Sequence, residues 1–316
     1  SNLWQRGHSA SILYSTAPED RDDVEVFSGT YVAPLDNDNV LAFYVVDTSS
    51  DVATVGTLGV VGDGRIYGSR LILPMTAWKT SYFHSFTLGA DYKDFDEDVV
   101  VVSGGSTPTA IDYVNWLIEY RGTYASETVR SSFGMASNFG VRGFVNSERE
   151  FNEKRVNAKP NYFHANPFFD VTWDYYRGAE MFLGFKGAVA SGPLVSNEQF
   201  SAGGVDSVRG YYESQILGDD GISAQLELRT PSLDRYFWEG LDNFRLHVFF
   251  DGAALNTQDT PPGTPSSEEI YGTGFGFRAD DLRGFDASFD WAWALKDARD
   301  VDSGDSRAHF RIHYGF

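Results

Sequence analysis

Cysteine is absent from the 316 residues, which excludes a disulfide framework and a cysteine-ligated metal site. Long hydrophobic runs are absent as well. No 18 consecutive apolar residues occur, so no transmembrane helix can be drawn, and Ser1 is not followed by the charged and apolar regions of an export signal. Basic residues are few: 25 Lys and Arg stand against 45 Asp and Glu, a formal charge of −20. That balance argues against a nucleic-acid partner, because phosphate neutralisation needs clustered cations. In contrast, aromatic residues make up 16%, with 25 Phe and 17 Tyr, and there are 32 Gly. Such a chain is either soluble or crosses a membrane without helices.

Periodicity decides between them. Ala308, Phe310, Ile312 and Tyr314, continued by Phe316, alternate with His309, Arg311, His313 and Gly315, a period of two with one apolar face. The same rhythm places Ala287, Phe289, Trp291, Trp293 and Leu295 opposite Ser288, Asp290, Ala292 and Ala294. It also runs through Tyr271 to Arg278, Ile222 to Arg229, Val129 to Phe139 and Phe169 to Tyr175. With the strand containing Leu246, Val248 and Phe250, and weaker candidates near 8–15, 24–33, 39–48, 65–75, 80–92, 110–121 and 179–190, the chain holds about fourteen strands. No segment shows a helical stripe, and 94–109, 142–160, 192–214 and 257–269 read as loops. Pro34 to Asn39 and Gly62-Asp63-Gly64 read as short turns.

The expected fold is therefore all-β, a transmembrane antiparallel β-barrel of 14 to 16 strands occupying residues 1–316. Trp and Tyr gather toward strand ends on the apolar faces, as aromatic girdles do. Gly and charged residues fill the other faces, as a crowded, wet lumen requires. Short turns alternate with long polar loops. Mean hydropathy is −0.31, a value that a polar lumen explains as well as a soluble fold does.

Enzymatic and metal chemistry have weak footing. His8-Ser9 and His84-Ser85 are adjacent pairs, but neighbours on a strand point to opposite faces, so neither pair is a nucleophile and its base. No Gly-x-Ser-x-Gly elbow exists, and no catalytic residue is assigned. His309 and His313 lie four apart, about 13 Å on a strand, and read as lumenal lining rather than zinc ligands. The acidic stretches Asp219-Asp220, Asp94 to Asp98 and Asp297 to Asp305 lack the spacing of a calcium loop and read as solvated. Neither Gly203-Gly204 nor Gly272 to Gly276 leads into a helix with a Lys, so neither is a phosphate loop. No cofactor and no metal are implied.

One stretch carries a specific likeness. Phe200-Ser-Ala-Gly-Gly-Val-Asp-Ser, then Val208-Arg209-Gly210-Tyr211, then Gly218-Asp-Asp-Gly221, then Glu227-Leu228-Arg229-Thr-Pro231 resembles the polypeptide-transporting outer-membrane barrels, which include the central assembly subunit and two-partner secretion translocators. Phe249-Phe250-Asp251 resembles their Phe-x-Asp motif, with Ala253 where Gly is common. Asn2 to His8, Tyr14 to Glu19 and Gly29 to Leu35 look more loosely like the early barrel of hemolysin-activator type transporters. The resemblance implies a long loop folded into the barrel and capped by the Val-Arg-Gly-Tyr tetrapeptide.

Alternation puts Leu246, Val248 and Phe250 toward lipid, and Arg245, His247, Phe249 and Asp251 toward the lumen. Asp251 is then the expected receptor for Arg209, since a bidentate Arg–carboxylate pair is the strongest available arrangement, and Glu227 is the competing partner. Gly210 would let the backbone turn tightly and Tyr211 would pack on the wall. Phe310, Ile312, Tyr314 and Phe316 resemble the C-terminal signal by which outer-membrane barrels are recognised for assembly.

The expected location is the bacterial outer membrane, and the expected function is translocation of a secreted partner protein. Expected partners are that protein, outer-membrane lipids and the barrel-assembly machinery, with no nucleic acid. A barrel-assembly factor and a passive porin are the alternatives. If the likeness holds to the N-terminus, residue 1 follows the second strand of a sixteen-stranded barrel, and two strands plus periplasmic domains lie upstream or are absent.

Overall fold

The computed structural model describes residues 6–16, 25–49, 53–55, 58–60, 63–77, 80–101, 105–236, 243–261, 263–282 and 285–314. Asn2 to Gln5, Ala17 to Glu19, Gly62, Gly315 and Phe316, all named above, lie outside the described residues.

The first half holds β1 (Ser9–Thr16), β2 (Glu25–Pro34), β3 (Val40–Ser49), β4 (Ala53–Val55), β5 (Leu58–Val60), β6 (Gly64–Pro74), β7 (Tyr82–Val101), β8 (Gly105–Ala125) and β9 (Val129–Gly140). A helix, α1 (Glu148–Lys154), follows, then β10 (Phe163–Tyr176), β11 (Ala179–Ala190), β12 (Phe200–Ala202) and β13 (Ile216–Gly218). The chain continues with β14 (Asp220–Arg229), β15 (Asn243–Asn256), β16 (Ser267–Leu282), β17 (Phe285–Ala294) and β18 (Ser306–Tyr314). Fourteen of these strands form one sheet in the order β1-β2-β3-β6-β7-β8-β9-β10-β11-β14-β15-β16-β17-β18. Every neighbouring pair whose register is described is antiparallel, as in β14–β15 and β15–β16. The remaining strands form the two small hairpins β4–β5 and β12–β13.

Because successive strands are antiparallel neighbours, alternate connections gather at the same end. One end holds tight turns such as Arg177-Gly178, where both residues take positive φ (49° and 84°), the geometry a two-residue hairpin demands. The other end holds the long connections, with α1 in residues 141–162 and β12–β13 in residues 191–219. In outer-membrane barrels the short turns face the periplasm and the long loops face outward.

The polarity of the strands is inverted relative to a soluble sandwich. Along β15, Leu246, Val248 and Phe250 are 45%, 55% and 49% exposed, whereas His247, Phe249 and Asp251 are 3%, 4% and 0% exposed. Apolar side chains point outward and charged ones inward, the arrangement only a lipid environment favours. Two apolar clusters fill the inside toward the long-loop end. In one, Phe151 of α1 and Leu194 and Val195 of the following loop pack on Val46, Ile66, Phe95 and Ile111. In the other, Val208, Tyr211 and Ile216 pack on Ala253, Ile270 and Ala294.

Four expectations about connections need correction, the first being residues 192–214, which hold β12 and a single helical turn at Ser196–Glu198. Residues 94–109 are not a loop, because β7 runs to Val101 and β8 starts at Gly105. Residues 142–160 contain α1, capped by the Ser147 side chain, which accepts from Glu150 N. The connection containing Asp63 is not a tight turn, since it carries the β4–β5 hairpin.

Candidate functional site in the barrel lumen

The loop of residues 191–219 leaves the long-loop end and folds inward, and its tip carries Arg209 to the wall of β14, β15 and β17. Arg209 is only 1% exposed. Its Nε donates to Asp251 Oδ2 at 2.7 Å and its Nη2 donates to Asp251 Oδ1 at 2.9 Å, a bidentate pair. The Arg209 backbone N–H adds a third bond to Asp251 Oδ2 at 3.2 Å. Nη1 donates to Glu227 Oε1 at 2.7 Å and lies 3.6 Å from Asp290 Oδ1. Glu227 therefore shares the guanidinium with Asp251 rather than competing for it. Phe249 stands under the cation, whose Cζ is 3.5 Å from the ring centroid, a contact that gains from the exclusion of water.

The carboxylates differ in their other company. Glu227 also accepts from Arg229 Nη2 at 2.7 Å and from Arg278 Nη2 at 3.1 Å. Asp290 accepts from His247 Nε2 at 2.5 Å when that nitrogen carries the proton. Among the described residues, Arg209 is the one cation paired with Asp251.

The tip fits because the wall is cut away. Gly272 of β16 faces the lumen, and a Cβ there would stand 2.0 Å from the carbonyl oxygen of Arg209. Gly274 and Gly276 continue that face, clearing room for the Phe249 ring and for Asp290. Gly210 has φ of +98°, and a Cβ on it would come within 2.9 Å of Ala294 N, so the tip passes the wall backbone as closely as it does only without a side chain. Tyr211 closes the turn from the other side. Its hydroxyl reaches the carbonyls of Lys296 at 2.8 Å and Tyr271 at 3.0 Å, and the ring is fully buried. Val208 is buried with it.

A second buried cluster holds the loop's end. Asp219, 0% exposed, accepts from Arg155 Nη1 at 2.5 Å and Nη2 at 2.7 Å, and also from Leu194 N at 2.9 Å and Gln258 N at 2.7 Å. Three long connections meet at this one carboxylate. Burial alone would raise the Asp219 pKa, yet Arg155 and the two backbone N–H groups hold it below the usual aspartate range. The expectation that Asp219-Asp220 is a solvated acidic stretch is thus corrected: Asp219 is an internal joint and Asp220 accepts from Ala190 N and Gln258 Nε2.

Val208, Arg209, Gly210, Tyr211, Glu227, Phe249 and Asp251, separated by up to 43 residues in sequence, meet in this one place, as the bonds above show. Phe310, Ile312 and Tyr314 lie elsewhere, on the outward face of β18, 79%, 68% and 53% exposed. Sequence reasoning missed the Gly272–Gly276 groove, the sharing of Glu227 by three arginines, and the Arg155–Asp219 joint. The alternate glycines were visible as a pattern; the joint had no sequence signal.

The fold and this site define a class: an outer-membrane β-barrel whose lumen is occupied by an arginine-anchored loop. The family model described as Haemolysin secretion/activation protein ShlB/FhaC/HecB matches residues 113–279, more than half of the chain, and the chain belongs to that family. Its structure is similar to CdiB from Escherichia coli (TM-score 0.76, 14% identity, covering 99% of this chain and 57% of that one). It is also similar to CdiB from Acinetobacter baumannii (TM-score 0.67, 15% identity, 98% and 54%). A third likeness is to BamA from Haemophilus ducreyi lacking POTRA domains 1-3 (TM-score 0.65, 14% identity, 99% and 66%). No curated protein sequence matches significantly. The chain spans a little over half the length of the two CdiB structures.

Proposed function

We propose that this barrel belongs to a two-partner secretion transporter that moves a secreted partner protein across the outer membrane with no energy source in its own chain. The observation that carries this reading is the loop tip held in the lumen by the Arg209–Asp251 pair, in a chain of the haemolysin secretion/activation family. A polypeptide enters in extended form at the short-turn end, passes as the loop shifts, and folds outside. Strand edges offer such a substrate backbone hydrogen bonds. Lipid surrounds the apolar outer face, the barrel-assembly machinery acts during biogenesis on the β18 segment that carries Phe310, Ile312 and Tyr314, and no catalysis takes part.

Arg209 and Asp251 act as the resting lock, with Phe249 and Glu227 completing the receptor. Arg209→Ala is expected to abolish export while leaving the barrel assembled; normal export by that variant would refute the role. The partner is tested by comparing secreted and outer-membrane proteomes with and without the gene. Loss of one large exported protein, other barrels unchanged, is the expected result. A general fall in many barrels would mean an assembly factor instead, the alternative to which the BamA likeness lends its fold.

A further inference from the structure

The inward loop has another charged anchor, on a different wall and of opposite sign. Glu198, in the single turn Ser196–Glu198 near the start of the loop, is 7% exposed. Its Oε1 accepts from Lys93 Nζ on β7 at 2.5 Å and from the Tyr113 hydroxyl on β8 at 2.7 Å, and its Oε2 lies 3.1 Å from His164 Nε2 on β10. Lys93 is itself buried, at 7%. A loop that needed only to fill space here would do so at lower cost with an apolar residue, because two charges must leave water to make this pair. What the pair adds is a fixed position, since either charge alone would be stranded.

Between Glu198 and Arg209 the loop separates two cavities. One, of about 620 Å³, is lined by Lys93, Asn138, His164 and Glu198 and extends along the wall from β2 to β11. The other, of about 480 Å³, is lined by Arg209, Glu227, Arg278 and Asp290. Asp206, near the tip, borders both. The segment thus lies across the lumen, tied by an anion at one end and a cation at the other.

We infer that Glu198 is a second positioning residue of the loop: it ties the base of the loop to the β7–β10 wall, so that release of Arg209 alone leaves the lumen obstructed and passage needs both ties undone. This rests on the reading of the chain as a polypeptide transporter. The two ties are then redundant in blocking, and their removal is strongly non-additive.

Ion conductance of the purified protein in planar bilayers tests this, with retention of the heat-modifiable folded band as the check on assembly. Glu198→Gln and Arg209→Ala singly are expected to raise mean conductance modestly, and the double variant to exceed the product of the two by about tenfold, the scale of sites coupled through a shared backbone shift. Glu198→Lys should also raise conductance, and adding Lys93→Glu should bring it back toward the native level, a rescue that loss of packing would not show. Glu198→Gln equal to native, with the double variant equal to Arg209→Ala, would overturn the inference. So would a charge swap that fails to rescue. Conductance does not depend on export, so the two ideas separate. If conductance responds as stated while export is indifferent to Arg209, the transport reading fails and the anchor stands; if export needs Arg209 and conductance ignores Glu198, the reverse holds.

Discussion

The wall that receives the loop tip and the wall that receives its base solve the same problem differently. At the tip, the loop brings one cation to a nest of carboxylates on β14, β15 and β17, and a glycine groove on β16 lets backbone touch backbone. At the base, the loop brings one anion to a lysine, a tyrosine and a histidine, beside a ladder of neutral amides. In that ladder Asn115 Nδ2 donates to Asn138 Oδ1 at 2.9 Å, and the Tyr162 hydroxyl donates to Asn115 Oδ1 at 3.0 Å. The tip is therefore held by shape as well as charge, and the base by charge and hydrogen bonding. A tip substitution is felt through several contacts at once, whereas the base yields to changes at one side chain.

The largest effect is expected at the pair with no substitute. Arg209→Ala leaves Asp251 buried without a cation, a change of about 3 to 5 kcal/mol for a buried pair broken on one side. Hydrogen exchange of the loop amides should show the tip released, and unchanged protection there would break the comparison. Gly272→Ala comes next, because its Cβ would stand 2.0 Å from the Arg209 carbonyl oxygen with backbone on both sides. It should displace the tip almost as fully while leaving every charge in place, which separates shape from charge. Glu227→Gln is expected to cost less, about 1 to 2 kcal/mol, because Asp251 still holds Arg209 and Arg278 is partly open to water.

The base offers the smallest effects. Asn138→Ala should cost under about 1 kcal/mol in thermal stability, the net worth of a neutral hydrogen bond that water can replace. Acidification sharpens the contrast further. Burial would raise the Glu198 pKa, but Lys93 and His164 outweigh it and hold the carboxyl at about 2. A depressed folded pKa means that this group's stabilisation is complete above the ordinary glutamate range and is lost only as pH falls toward about 2. Loop protection at the base, read by hydrogen exchange, should therefore not weaken through Glu198 between pH 7 and 5.

Much of this was legible in the sequence where lipid imposes a rule. The apolar faces of β14 to β18 alternate because one side of each strand meets hydrocarbon, so the strands and the lumenal placement of Phe249 and Asp251 followed from counting by two. The outer parts of β7 and β8 escaped because the rule lapses where the strands leave the membrane. There Asp94 and Asp96 stand exposed on β7, and Tyr92 on the same strand donates to Asp112 of β8, so a strand reads as a polar loop. Helix α1 was hidden by its length, with only Phe151 and Lys154 buried among seven residues, too few for a stripe. Glu198 had no signal at all, because its partners lie from 34 to 105 residues away and none belongs to a motif.

The position of the loop tip itself is the most direct test of the account. The chain has no native cysteine, so spin labels can be placed uniquely at Asp206→Cys on the tip and Ser288→Cys on the lumenal face of β17. Pulsed electron resonance should give one short, narrow distance distribution in the otherwise native barrel and a broad, longer one when Asp251→Asn is added. The same narrow distribution in both would contradict the claim that the Arg209–Asp251 pair holds the loop in the lumen.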